Sequence, residues 1–235
     1  MRLLITFEPL QSFSSDVVYK HTVQGFVYSL LKETELSSSH DRAGFKFFTF
    51  SDIFPLGDFN IGQERNILIS SPRDEFIDTL LASLIHKETL LLGGNPVKIK
   101  RFKRINLKLT SRFTSASPIA LYKSNRENIY YSFEKDRDLG FFLNRLKENA
   151  LKKFNAFFGE NYTLEGNIFD RLIFKKEVAI RNIKGGKEFL IIGSSWRLLQ
   201  KLYIHEYERK FYQFIMDCGL GEKNSLGFGF VNPVR

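Results

Sequence analysis

At 235 residues with 43% hydrophobic content, the chain is long enough to bury one large core or two small ones and too apolar to be disordered. Its net charge of +9 points to a polyanionic partner, while its 25 phenylalanines serve core packing and base stacking equally well. A single cysteine, Cys218, excludes a disulfide framework and a thiolate zinc cluster, and His21, His40, His86 and His205 show no paired ligand spacing, so neither a metal nor another cofactor is expected.

The chain opens with a predicted strand at residues 2–7. A helix follows, with Val23, Phe26, Val27, Leu30 and Leu31 at helical spacing. Strands are predicted at 46–54 and 66–70. The next helix has Ser71 as N-cap, Pro72 at its first position and an apolar stripe of Ile77, Leu80, Leu81, Leu84 and Ile85. A basic strand or hairpin over 97–109 completes a β-α-β-β-α-β unit. No apolar run is long enough for a signal peptide or a membrane span, so a cytoplasmic protein without a membrane partner is expected.

The second half repeats the pattern. A hairpin from 118–122 and 129–133 stands for its first strand, and a long helix carries Leu139, Phe142, Leu143, Leu146, Ala150, Phe154 and Phe157 on one face. Strands at 168–180 and 188–199 join through Lys184-Gly185-Gly186-Lys187 as a hairpin turn. A last helix with Ile204, Tyr207, Phe211, Phe214, Ile215 and Cys218 leads into a glycine-rich loop. The small polar stretch 111–117 marks the boundary, giving an α+β protein of two tandem ferredoxin-like, RRM-like βαββαβ domains, residues 1–113 and 114–235. The aromatic-rich signature of RNA-recognition folds is missing, so single-strand readout by that route is not indicated.

Gly219-Leu-Gly-Glu-Lys-Asn-Ser-Leu-Gly-Phe-Gly229 holds two Gly-x-Gly units, Gly219/Gly221 and Gly227/Gly229, around Lys223 and Ser225. Glycine permits φ > 0 and close backbone approach, and exposed N–H groups with one lysine suit a phosphate chain. A helix C-cap followed by a turn is the structural alternative. Lys98, Lys100, Arg101, Lys103 and Arg104 crowd the basic strand among apolar residues, where they either hold RNA phosphates or guard a solvated sheet edge. The broken parity there predicts a bulge or a basic loop. Arg112 and Arg197 are further phosphate candidates, with Trp196 read as core.

The glycine string closely resembles the C-terminal signature of the CRISPR-associated RAMP proteins, in particular their repeat-processing endoribonuclease, CRISPR-associated protein six. Gln24-Gly25-Phe26-Val27-Tyr28, and His40 through Lys46 to Phe47-Phe48-Thr49-Phe50-Ser51, resemble its catalytic segments. Alone, Tyr28 reads as an amphipathic edge residue, His40 as a polar loop residue and Lys46 as a solvent-facing lysine. The resemblance implies that Tyr28, His40 and Lys46 are catalytic, that Gly219, Gly221, Lys223, Ser225, Gly227 and Gly229 contact RNA, and that the fold is tandem ferredoxin-like. It also implies CRISPR repeat RNA in precursor transcripts as partner, with other effector-complex proteins as further partners and a monomer or homodimer as assembly.

The chemistry of such a set is metal-independent transesterification. The RNA 2′-OH attacks the adjacent phosphate, giving a 2′,3′-cyclic phosphate and a 5′-OH. Histidine transfers protons near neutral pH, and a lysine ammonium stabilises charge on the phosphorane. A RAMP subunit that binds repeat RNA without cutting it is the alternative that the glycine loop and fold fit equally.

Overall fold

The computed structural model describes residues 1–32, 34, 44–184 and 187–234. His40 and the Gly185-Gly186 turn lie outside the described residues.

Strand β1 (Arg2–Pro9) alternates so that Leu3, Ile5 and Phe7 face inward. The helix α1 (Lys20–Ser29) follows, then β2 (Thr49–Phe50), β3 (Arg65–Ser70), α2 (Asp74–Ile85), β4 (Thr89–Leu92) and β5 (Asn95–Ile105). All pairs in this sheet are antiparallel, in the order β2-β3-β1-β5-β4. With β4 set aside as a hairpin extension, the order of the four main strands is that of a ferredoxin-like unit. Val23, Phe26 and Val27 of α1 and Phe76, Ile77, Leu80 and Leu84 of α2 close the inner face into one core. Each such side chain contributes ~1.5–3 kcal/mol by leaving water.

The second half contains β6 (Arg112–Ser115), the short hairpin β7 (Tyr122–Ser124) and β8 (Ile129–Tyr130), and α3 (Leu139–Phe158). It continues with β9 (Arg171–Lys184), β10 (Lys187–Gln200), α4 (Arg209–Cys218) and β11 (Val231–Pro233). Its sheet runs β11-β6-β10-β9, the same order of first, second, third and fourth strands as in the first half. Helix α3 starts where Asp138 accepts the Phe141 N–H at 2.9 Å. Trp196 is core, packed against Phe133, Phe142 and Phe174, while Arg197 is exposed.

Several elements differ from the sequence expectation. The first strand of the second half is β6, inside the stretch expected to be a connection, and the expected 118–133 hairpin is an insertion beside it. Helix α2 begins at Asp74 rather than Pro72, because Ser71 Oγ donates to Phe47 O at 2.8 Å while accepting the Arg73 N–H at 3.0 Å. Ser71 thus ties the helix entry to the chain before β2. The strand expected over 46–54 shrinks to Thr49–Phe50, with Phe47 at φ 52° just before it. Tyr207 precedes α4 and is exposed instead of lying on its apolar stripe. The bulge in β5 is present: Thr6 opposes Arg101 and Phe7 opposes Ile99, leaving Lys100 as the extra residue.

The two halves are tied by polar contacts. Arg2, 1% exposed, donates to Asn232 Oδ1 and to the carbonyls of Met216 and Val231, with its guanidinium 4.3 Å from the Phe230 ring centre. Burial pulls this guanidinium down to about 10, with nearby Asp217 opposing the fall. Phe47, from the first half, packs in the core of the second against Phe157 and Phe214.

Candidate functional site

Tyr28 sits in the last turn of α1, half-buried, because it lies at the border of the apolar stripe rather than on the fully polar side. Its ring stands edge-on to Phe48, with centroids 5.7 Å apart at 89°. Lys46 is also half-buried, between Phe45 and Phe47, whose rings approach to 5.9 Å. The Tyr28–Phe48 contact therefore draws the end of α1 against the segment that carries Lys46. His40, six residues before Lys46 in the chain, lies outside the described residues.

The glycine loop follows α4 and wedges between the halves. Lys20 Nζ donates to Gly227 O at 2.7 Å and pairs with Asp52 at 2.5 Å. Gln24 Nε2 donates to Ser225 O at 2.8 Å, and Thr49 Oγ1 donates to Phe228 O at 3.0 Å. A Cβ on Gly227 would stand 2.2 Å from the Phe50 ring. The loop is thereby fixed to α1 and β2, the same elements that carry Tyr28 and follow Lys46.

Its N–H groups are spent internally. Those of Gly219, Leu220, Glu222, Leu226, Gly227, Phe228 and Gly229 all donate to protein carbonyls. These seven N–H groups are thus not available to a phosphate, because satisfying buried backbone donors takes precedence. Of the side chains expected to contact RNA here, Lys223 is exposed, at φ 59°, with Nζ 5.3 Å from the Tyr122 ring centre, and Ser225 is half-buried.

The carbonyls of the loop have a buried partner that the sequence reading missed. Lys153 Nζ donates to Gly219 O at 2.7 Å, Gly221 O at 2.9 Å and Asn224 Oδ1 at 2.7 Å, with the residue only 2% exposed. The signal was present: Lys153 falls inside the apolar stripe of α3, three residues after Ala150 and one before Phe154. Burial holds its ammonium below the ordinary lysine range, with Cys218 and Glu222 opposing the shift. The Cys218 thiol is itself pushed up to about 11, mainly by burial, and stays neutral at physiological pH. Lys153→Met keeps the aliphatic stem and leaves three acceptors unpaired. It is expected to cost about 2–3 kcal/mol, read as a lower urea midpoint; an unchanged midpoint would mean that water replaces the ammonium.

The basic strand is less free than its composition suggests. Arg101 holds Glu64 with two bonds of 3.0 and 2.6 Å, Arg104 pairs with Asp78 at 2.7 Å, and Lys100 with Glu8 at 3.1 Å. Lys98 and Lys103 are exposed and, among the described residues, form no ion pair. Register places Lys103 opposite Leu4, Arg101 opposite Thr6 and Lys98 opposite Glu8, on the sheet face away from the helices. A cleft of about 540 Å³ opens at the other end of α1, lined by Tyr19, Lys20, Phe50, Asp52, Phe59 and Arg181 among others. Its cations are already neutralised, Lys20 by Asp52 and Arg181 by Glu188 at 2.8 Å. Among the described residues no group of three His, Cys, Asp or Glu side chains is placed to hold a metal ion, and no helix is long and apolar enough to cross a membrane.

Two ferredoxin-like units in tandem, closed by a double Gly-x-Gly loop that docks on the first unit, make the architecture that the resemblance of the sequence implies. Residues 102–233 match the family described as CRISPR associated protein Cas6, C-terminal. The chain is also 48% identical over 241 residues to CRISPR-associated endoribonuclease Cas6 2 of Methanocaldococcus jannaschii, with 100% of both chains covered. It belongs to the Cas6 family. A solved structure titled CRISPR associated protein Cas6 superposes with a TM-score of 0.73 at 23% identity, covering 100% of this chain and 99% of that one. A RAMP protein binding different RNA substrates superposes with a TM-score of 0.72 at 19% identity and full coverage of both, a likeness of fold.

Proposed function

We propose that this protein is an endoribonuclease that cuts CRISPR repeat RNA in precursor transcripts to release guide RNAs, without a metal ion. The observation that carries the reading is the contact of Tyr28 with Phe48, which sets the end of α1 beside the Lys46 segment while the glycine loop is fastened to the same two elements. The relative that is 48% identical is itself named an endoribonuclease.

In the proposed reaction the 2′-OH of the nucleotide 5′ to the cut attacks phosphorus and gives its proton to a base. The P–O5′ bond breaks, and the leaving oxygen takes a proton from an acid. His40 is the proton-transfer residue, Lys46 neutralises the charge that builds on the non-bridging oxygens, and Tyr28 orients the reacting phosphate or 2′-OH. Products are a 2′,3′-cyclic phosphate and a 5′-OH. The first half supplies the chemistry in this scheme, and the second half, which begins with β6, supplies the loop. Lys98 and Lys103, the exposed cations of β5 without ion pairs among the described residues, serve phosphates at a distance from the cut.

The test is an end-labelled repeat RNA incubated in excess EDTA, beside the same RNA with one 2′-deoxy substitution just 5′ of the cut. A single cut in the first and none in the second is the expected result. Cleavage of the deoxy substrate would refute 2′-OH attack. Activity lost in EDTA and restored by magnesium would assign the chemistry to a metal, and tight binding without a cut would favour the non-catalytic subunit.

A further inference from the structure

Three rings stand in a row on the connection between β10 and α4. Tyr203 and Tyr207 are each 66% exposed, whereas Ile204 between them turns into the second core. The His205 ring meets Tyr203 edge-on at 4.7 Å and lies nearly parallel to Tyr207, at 5.3 Å and 11°. The connection that presents them is pinned: the His205 N–H donates at 2.9 Å to Glu208 Oε2, and Glu208 is 3% exposed. Rings held this way on the surface add little to the core, and their ordered spacing is what a planar ligand would meet.

The surroundings say which planar ligand. Lys210, one turn beyond Tyr207, places its Nζ 3.9 Å from the centre of the Phe158 ring and pairs with Glu160. Phe158 touches Phe157 at 4.8 Å, and Phe157 touches Phe47 at 5.0 Å, beside Lys46. The Arg73 guanidinium lies over both Phe47 and Phe157, at 5.3 and 5.7 Å. Rings and cations therefore run from Lys46 towards the exposed row, with Arg73 exposed and Lys210 shared with Glu160, on a protein with a net charge of +9. Paired RNA keeps its base faces stacked inside the helix, so only an unpaired strand offers faces to such rings while its phosphates meet the cations.

We infer that Tyr203, His205 and Tyr207 form a stacking platform for unpaired nucleotides flanking the cut, an inference that rests on the RNA-cleaving function proposed above. The experiment compares a minimal repeat RNA with repeats extended by about eight unpaired nucleotides on one side or the other, a length within the footprint of single-strand binding sites. Each extension carries 2-aminopurine in turn, and wild type is compared with the Tyr203→Ala/Tyr207→Ala double variant. The extended RNA is expected to bind the double variant about 10-fold more weakly and to lose the quenching of 2-aminopurine. Affinity for the minimal repeat and its rate of cleavage stay the same. Tyr203→Phe/Tyr207→Phe, which keeps both rings, is expected to restore affinity and quenching. Equal affinity of wild type and double variant for both extended RNAs would overturn the platform. So would a change in molar mass by light scattering with RNA affinity intact, since the rings would then serve contact with another protein chain. A wild type that binds but does not cut would reject the cleavage reading and leave the affinity difference to decide the platform separately.

Discussion

His40→Ala is expected to slow single-turnover cleavage of repeat RNA by about 10²-fold or more and to leave the dissociation constant for the repeat nearly unchanged. The split follows from what each group can do at neutral pH. A histidine with its ordinary pKa of about 6.5 exchanges protons readily there, whereas a tyrosine near 10 has less than about 1% in the phenolate form. Tyr28 is in addition held by its ring against Phe48, a placement suited to orienting a phosphate or a hydroxyl. In the proposed reaction Lys46 is assigned to stabilising charge and not to moving a proton. Removing the proton carrier should therefore strike the chemical step and spare binding, which the proposed scheme assigns to cations elsewhere on the surface. The rate and the dissociation constant are measured on the same labelled RNA. Cleavage by His40→Ala at the wild-type rate would move the proton transfer to another residue, and equal losses in rate and affinity would make His40 a binding residue.

Much of the architecture was legible because apolar periodicity was strong where it mattered. Leu3, Ile5 and Phe7 in β1, the stripe of α1 and the middle of the stripes of α2 and α3 are buried as their spacing requires, while Ile85 at the end of α2 and Leu139 at the start of α3 are exposed. The bulge at Lys100 was equally visible, as a break in strand parity. Strand β6 was not, because of its four residues only Phe113 is buried; the strand is made by backbone pairing on both sides, with β10 and β11, which a sequence does not display. The ion pairs that occupy much of the basic strand were hidden for the same reason. Glu8, Glu64 and Asp78 stand far from it in sequence and reach it only through the fold. In the glycine loop the spacing identified the family, while the packing role of the glycines was not legible. The glycines there admit close packing and turn most of their N–H groups inward, and the cation that organises the loop comes from α3.

Gly229→Ala is expected to destabilise the protein by about 4 kcal/mol or more, at the upper end for one added methyl group. Gly229 has φ 69°, where an L side chain already costs ~1–2 kcal/mol, and its added Cβ would lie 1.8 Å from Leu220 O. That neighbour is backbone, so no rotamer change relieves the overlap. The Gly229 N–H bond to Pro118 O at 2.7 Å and the Leu220 N–H bond to Gly229 O at 2.9 Å both pass through the same point. Moving the chain here would also displace Phe228 O from Thr49 and the loop carbonyls from Lys153, loosening the join between the halves. Gly25→Ala is the control in the same urea titration. Gly25 is in α1, exposed, with nothing within 4 Å of where an added methyl group would stand, so alanine there should raise stability by ~1 kcal/mol through helix propensity. Opposite signs for the two substitutions would separate a glycine required by packing from one that is not. A wild-type midpoint for Gly229→Ala would mean that the loop is pliant, and the glycine spacing would then have to be explained by RNA contact rather than by closure of the two halves.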